Sequence, residues 1–410
     1  MSDKIKHVSA TSISAFKACP IRYRLGYVEA LREAIEPTPF RFGTAWHKGL
    51  EMLSLPDGYV VGQIAPDGSG GTLITDENRL DLAVEAACEV YETIPDWADP
   101  TDWAVERETI ANALAAYHWY HGSDSEYDTV ATELEFDLPL VNPETGHPTP
   151  NFRRVGKIDR IIVSKRSGRL LIGENKSTSK SIDSGSTYWD RLRKDTQSKF
   201  YILAARDLPS MDASISLSGD PRVALGGVSG LLHDVFHKPQ ISPKLLTQAD
   251  SKAFVEAGEY CGQEFEVGEV PLGGSDLDIL TVDGVRAERE PGKKEGTFAI
   301  RETPGMFGAR LLKDMTERPE YYFARREVAF TDDELLDFRY QIWALQRTMN
   351  EMERTGHWYE NEQKCEATFR CAYCPICYNN VACFDGVTVP PGFKRLHAED
   401  VEQTEAGGAE

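Results

Sequence analysis

Three residues of this sequence could do chemistry together: Asp159, Glu174 and Lys176. Asp159 lies in a strand-like run with Ile158, Ile161 and Ile162, where a carboxylate needs a partner. Glu174-Asn175-Lys176 lies one hairpin further on. Side chains alternate along a strand, so Glu174 and Lys176 share a face. Two carboxylates and an ammonium around one point would bind a divalent cation. Such a cation neutralises a phosphodiester, orients water and lowers its pKa. Lys176 could then hold the attacking water or steady the charge developing on phosphorus. Magnesium and manganese prefer oxygen ligands, and the carbonyl of Asn175 could supply one more. The plainer alternative for Glu174 and Lys176 is a surface ion pair, which is worth little.

Two further groups could complete such a site. Gln197 and Tyr201 are four residues apart on an expected helix and so share a face. An amide and a phenol there could contact a base or a phosphate, or could simply belong to an amphipathic helix. His47, in Gly43-Thr44-Ala45-Trp46-His47, offers a neutral imidazole that favours manganese somewhat. Glu51, one turn later, could orient it. A histidine with a purely structural partner is the alternative.

The elements that must position these groups are legible as patterns. Residues 1–58 read as helical, with a turn around Pro37-Thr38-Pro39, and residues 62–76 as a glycine-rich loop. Helical patterns follow at about 77–93 and 103–120. Strand-like runs cover Thr129–Leu138, Arg154–Val163 and Arg169–Gly173, the last two joined by a Ser164–Gly168 turn. One helix is expected from Tyr188 to Arg206, and strands near Val228–Phe236 and Tyr321–Phe330. Thr331-x-x-Glu334 is a capping box. It opens a helix whose Leu335, Phe338, Ile342, Leu345, Met349 and Met352 form a buried stripe, with Gly356 as its stop. There is no internal repeat.

Length and composition bound the reading. A chain of 410 residues implies two lobes, or one core with large insertions. No run of about eighteen apolar residues predicts a transmembrane helix. The start shows no secretory signal, so the cytosol is expected. A net charge of −21 argues against nucleic acid as a partner when taken alone. However, basic residues collect at Arg22/Arg24, Arg153/Arg154/Lys157, Lys165/Arg166/Arg169, Lys176/Lys180 and Arg191/Arg193/Lys194, mostly flanking the proposed site. Acid collects at 255–290 and in the tail from Glu399.

Five of the eight cysteines lie between 365 and 383. In a cytosolic protein such crowding reads as metal or cluster binding. Cys371, Cys374, Cys377 and Cys383 alone could form a four-thiolate zinc site, leaving Cys19 a buried thiol. Cys88 and Cys261 are isolated.

Together these residues resemble the RecB-like branch of the PD-(D/E)XK nuclease superfamily, and more narrowly the CRISPR-associated and phage exonucleases with an iron–sulfur cluster. The resemblance runs through Ser12–Phe16 and Cys19–Tyr23, Gly43-x3-His47, Gly156-Lys-Ile-Asp159, Glu174-Asn-Lys176, Gln197-x3-Tyr201 and the C-terminal cysteines. Ile158 stands where the family name has proline. The resemblance implies metal binding by His47, Asp159 and Glu174, the catalytic lysine at Lys176, and Gln197 and Tyr201 as the Q-x3-Y motif. It also implies a [4Fe–4S] cluster on Cys19, Cys374, Cys377 and Cys383, with Cys371 or Cys365 as alternative ligands.

The resulting expectation is an α/β fold. A central mixed sheet of restriction-endonuclease type is flanked by helices, and the chain's two ends are joined by the cluster. The expected organisation is an N-terminal helical region (1–125), a nuclease core (126–240), an acidic insertion or variable region (241–318), a C-terminal strand, helix and cysteine cluster (319–384), and a mostly disordered tail (385–410). The expected function is a Mg2+/Mn2+-dependent DNA exonuclease acting on single-stranded ends in recombination, repair or phage DNA processing. A non-catalytic nucleic-acid-binding module and a zinc-stabilised interaction protein are the alternatives.

Overall fold

Six strands form one mixed sheet: β1 (Lys6–Val8), β2 (Tyr127–Val141), β3 (Pro148–Ser164), β4 (Leu170–Thr178), β5 (Gly230–His237) and β6 (Phe323–Val328). They belong to a computed structural model that describes residues 5–35, 38–62, 70–122, 126–208, 225–270, 279–294, 297–367 and 370–396. β3 is the axis. One of its sides pairs with antiparallel β2 over nearly its whole length. Its other side is shared: β1 runs parallel to Phe152–Arg154, and β4 runs antiparallel to Arg160–Val163. β4 then leaves β3 at Gly173 and continues beside parallel β5 as far as Thr178. β6 closes the sheet antiparallel to β5. The divergence of β3 and β4 makes a fork, and Asp159 and Glu174 stand at its mouth.

Helices cover both faces. On one face α1 (Ala10–Ala18), α5 (Thr196–Asp207) and α7 (Asp332–Thr355) bury Phe16, Phe200 and Phe338 against Ile158 and Leu231. On the other, α2 (Thr38–Ser54), α3 (Pro100–His121) and α6 (Pro304–Glu317) bury Trp46, Leu114 and Leu311 against Phe236 and Phe323. Each such side chain contributes about 1.5–3 kcal/mol of burial, so both faces are rigid supports. The reciprocal Thr331/Glu334 capping bonds (3.2 and 2.9 Å) start α7, and left-handed Gly356 (φ 73°) ends it.

Several elements differ from the sequence reading. Lys6–Val8 is a strand, not helix, because its backbone completes the free side of β3. The helix expected over 188–206 is two helices, α4 (Thr187–Arg193) and α5. Asp195 breaks it: its backbone is extended and its carboxylate accepts from the N–H of Ser198 at 3.3 Å, as an N-cap. Within the 240–300 region a small core of Phe254, Leu280, Val282 and Ile300, completed by Met306 of α6, joins a short helix to β-hairpins. Pro37, residues 63–69 of the glycine-rich loop and the acidic tail from 397 lie outside the described residues.

Candidate active site

The fork gathers most of the residues singled out above. His47, on α2, places Nδ1 3.4 Å from Oδ2 of Asp159. The same oxygen accepts from the backbone N–H of Asn175 at 2.9 Å. This bond replaces the strand ladder where β3 and β4 part. Glu174 and Lys176 share one face of β4, with Lys176 Nζ 3.2 Å from Glu174 Oε1. Lys176 also donates to Oε1 of Gln197, whose Nε2 donates to the Tyr201 hydroxyl at 3.2 Å. Tyr201 can lie over β3 because residue 156 is glycine. A Cβ there would stand 2.7 Å from the Phe136 ring and 3.3 Å from the Tyr201 ring.

The site is deep at one end and open at the other. Side-chain exposure falls from 27% at His47 and 14% at Asp159 to 2% at Glu174. Burial pushes the Asp159 carboxyl well above the ordinary carboxylate range; the Asn175 N–H opposes this and Glu133 adds to it. Burial, and then Asp159 itself, pushes Glu174 up as well. Burial lowers His47, which keeps its ring neutral and its lone pair available. Oε2 of Glu174 is buried and has no hydrogen-bond partner among the described residues. A buried oxygen left so costs free energy, and a cation would satisfy it. The donors (a neutral imidazole and two carboxylates) fit magnesium or manganese. Among the described residues no group of three or more His, Cys, Asp or Glu side chains is arranged so as to hold a metal ion.

A family-wide sequence model of the PD-(D/E)XK nuclease superfamily matches residues 7–378. The chain belongs to that superfamily. Among curated proteins nothing matches it. As a PD-(D/E)XK nuclease it has the α/β architecture expected, a mixed sheet between helical layers. Among its described residues no helix is long and apolar enough to cross a membrane.

Other residues of this nuclease have partners of their own. Asn175 turns its side chain to the opposite face of β4, accepting from Arg160 Nη2 at 3.0 Å. Glu51 feels Glu133 and Lys157 once burial has raised it. Of the basic residues noted in the sequence, Arg153 pairs with Asp137, Arg154 with Asp207, Lys157 with Glu133, Lys165 with Asp128 and Arg169 with Glu327. Arg191, Arg193 and Lys194 are exposed and enter no ion pair among the described residues.

Four neighbours escaped the sequence reading. Glu133 lies on β2 between the Thr132–Arg160 and Leu134–Ile158 pairs, and so opposite Asp159, with a left-handed backbone (φ 51°) that nothing in the sequence signals. His233 pairs in register with Glu174; burial and Lys176 push it down to about 3, so it is neutral. Arg160 and Asp234 form a buried ion pair at 3.2 Å. Charged residues inside apolar strand runs were the available signal for these last three.

The two chain ends meet beside the core. Phe393–Arg395 pairs with Leu31–Glu33, the Tyr373 hydroxyl donates to Leu31 O (2.8 Å), and Asn361 donates to Ala18 O (2.8 Å). Cys19, Cys374 and Cys383 are buried there, and Cys365, Cys371 and Cys377 half-buried. Burial and Glu360 push Cys377 up to about 12, with Cys371, Cys19 and Cys365 adding to the effect. After burial, Cys383 feels Glu29, Arg395 and Arg24 instead.

Proposed function

We propose that this nuclease is a RecB-like, Mg2+- or Mn2+-dependent DNA exonuclease acting on single-stranded ends, with a role in recombination, repair or phage DNA processing in the cytoplasm. One observation carries the reading. Two buried acids with raised pKa values stand with a neutral histidine and a lysine, and one Glu174 oxygen has no hydrogen-bond partner among the described residues. His47, Asp159 and Glu174 would hold the metal, with the Asn175 carbonyl as a further oxygen. Bound there, a divalent ion would neutralise the phosphate and acidify water.

The chain's own residues account for the rest. Lys176, fixed between Glu174 and Gln197, steadies the attacking water and the charge on phosphorus. Tyr201 orients Gln197 in turn. Water forms the new bond to phosphorus and gives up a proton to solvent, the bond to the departing sugar oxygen breaks, and that oxygen takes a proton from solvent. The exposed cations of α4 and its C-cap (Arg191, Arg193 and Lys194) lie between the Lys176 strand and the Gln197 helix. They supply positive surface for a phosphate backbone on an otherwise acidic molecule. A [4Fe–4S] cluster on Cys19, Cys374, Cys377 and Cys383, with Cys371 or Cys365 as alternatives, would staple the two chain ends.

The test is digestion of end-labelled single- and double-stranded DNA with manganese under anaerobic conditions. Wild type should shorten single strands from an end, and Lys176→Ala should lower kcat by about 10²–10³. A wild type that cuts nothing with its cluster intact ends the proposal. Internal cuts in circular DNA would replace exonuclease by endonuclease action.

A further inference from the structure

We propose that Arg160 is the positioning residue of this metal site, locking from behind the elements that carry its ligands. The inference rests on the proposed metal site and goes beyond it. Arg160 follows Asp159 on β3, so its side chain points to the other face of the sheet. There Nη2 donates to Oδ1 of Asn175 at 3.0 Å and to Oδ2 of Asp234 at 3.2 Å. Nη1 reaches Ser54 Oγ at 3.3 Å. Asn175 is the residue whose N–H holds Asp159, and it sits between Glu174 and Lys176. Ser54 lies on α2, two turns beyond His47. One guanidinium therefore ties the strand of Asp159, the strand of Glu174 and the helix of His47.

The hub is itself held. Asp234 also accepts from Arg325 Nε at 2.9 Å and from the Tyr117 hydroxyl at 2.5 Å. Arg325 Nη2 donates to Tyr117 at 2.8 Å. Room for the arm comes from Gly173, which pairs with Arg160 and directly precedes Glu174. A Cβ at residue 173 would stand 3.2 Å from Arg160 Nε and 3.3 Å from its Cβ. A planar fork can make these bonds together; the point charge of lysine cannot. Groups that orient metal ligands from the next layer typically set affinity within about 10- to 100-fold.

A structural control exists in the same sheet. Arg154, equally buried, pairs with Asp207 at 2.6 Å at the far end of β3. Arg160→Lys and Arg154→Lys should both lower the melting temperature of the full chain. Only Arg160→Lys should weaken Mn2+ binding measured by calorimetry, by about 10-fold or more. If Arg160→Lys does not fold, Gly173→Ala, which keeps every charge and crowds the guanidinium, should give the same selective loss. Equal Mn2+ affinities in the Arg160 and Arg154 variants, with wild type binding the ion, overturn the hub and leave the metal site standing. A wild type that binds no Mn2+ overturns both.

Discussion

Buried charge lies on both sides of the sheet at β4, and the two groups are built in opposite ways. On the Asn175 face, Asp234 is surrounded by Arg160, Arg325 and Tyr117. Burial alone would raise its pKa, but Arg325 and then Arg160 hold it down at about 2. On the Glu174 face, burial drives Asp159 and Glu174 the other way, and one lysine does not compensate both. Glu174 and Asp234 are equally buried, each with 2% of its side chain exposed. The difference is therefore not burial but satisfaction: one cluster is complete within the protein, and the other lacks positive charge. A carboxylate pair kept in that condition is what a cation site requires.

The widest gap between the clusters should appear in stability. Asp234→Asn leaves Arg160 and Arg325 facing a neutral amide in the interior. Breaking a buried pair in this way costs about 3–5 kcal/mol. Glu174→Gln removes an acid whose own surroundings oppose its ionisation, so the metal-free protein should lose nothing and could gain. Denaturant unfolding of both variants at neutral pH measures the contrast. If Glu174→Gln destabilises as much as Asp234→Asn, the Glu174 face is an ordinary structural cluster.

Metal should reverse that order. A ligand that binds only the folded chain stabilises it by about 2.7 kcal/mol at one hundred times its Kd. Wild type should therefore melt higher with Mn2+, while Glu174→Gln should show a much smaller rise. A rise of equal size in both would place the ion elsewhere.

How much of this was visible beforehand follows the same division. Asp159, Glu174, Lys176 and Gln197 could be read because strand and helix periodicities bring them to shared faces, and the structure joins Lys176 to Glu174 and to Gln197. The capped helix over Asp332–Thr355 was equally legible, since its cap and its stripe are local signals. What escaped depends on distant pairing. Arg160 and Asp234 are 74 positions apart and meet only once β4 lies between their strands. Lys6–Val8 is a strand only because β3 has a free side at Phe152–Arg154. The break at Asp195 was locally encoded by an N-cap residue, but the apolar pattern ran across it.

The smallest effect concerns acid. Asp234 has a folded pKa of about 2, below the ordinary aspartate value of about 3.9. A depressed carboxylate contributes stability that is complete above its unfolded pKa and is lost as pH falls through its folded pKa. Between about pH 4 and pH 2 the unfolded chain binds a proton at this position that the folded chain resists, so unfolding free energy must fall with pH there. One such proton contributes up to about 1.4 kcal/mol per pH unit. Asp159 and Glu174, raised by burial, are already protonated in that window in the folded state and add little of this slope. The acid limb of wild type should thus be steeper than that of Asp234→Asn, measured by denaturant titration at a temperature where both are folded. Identical slopes would mean that Asp234 is not held ionised by its two arginines, and the contrast between the faces of β4 would lose its electrostatic basis.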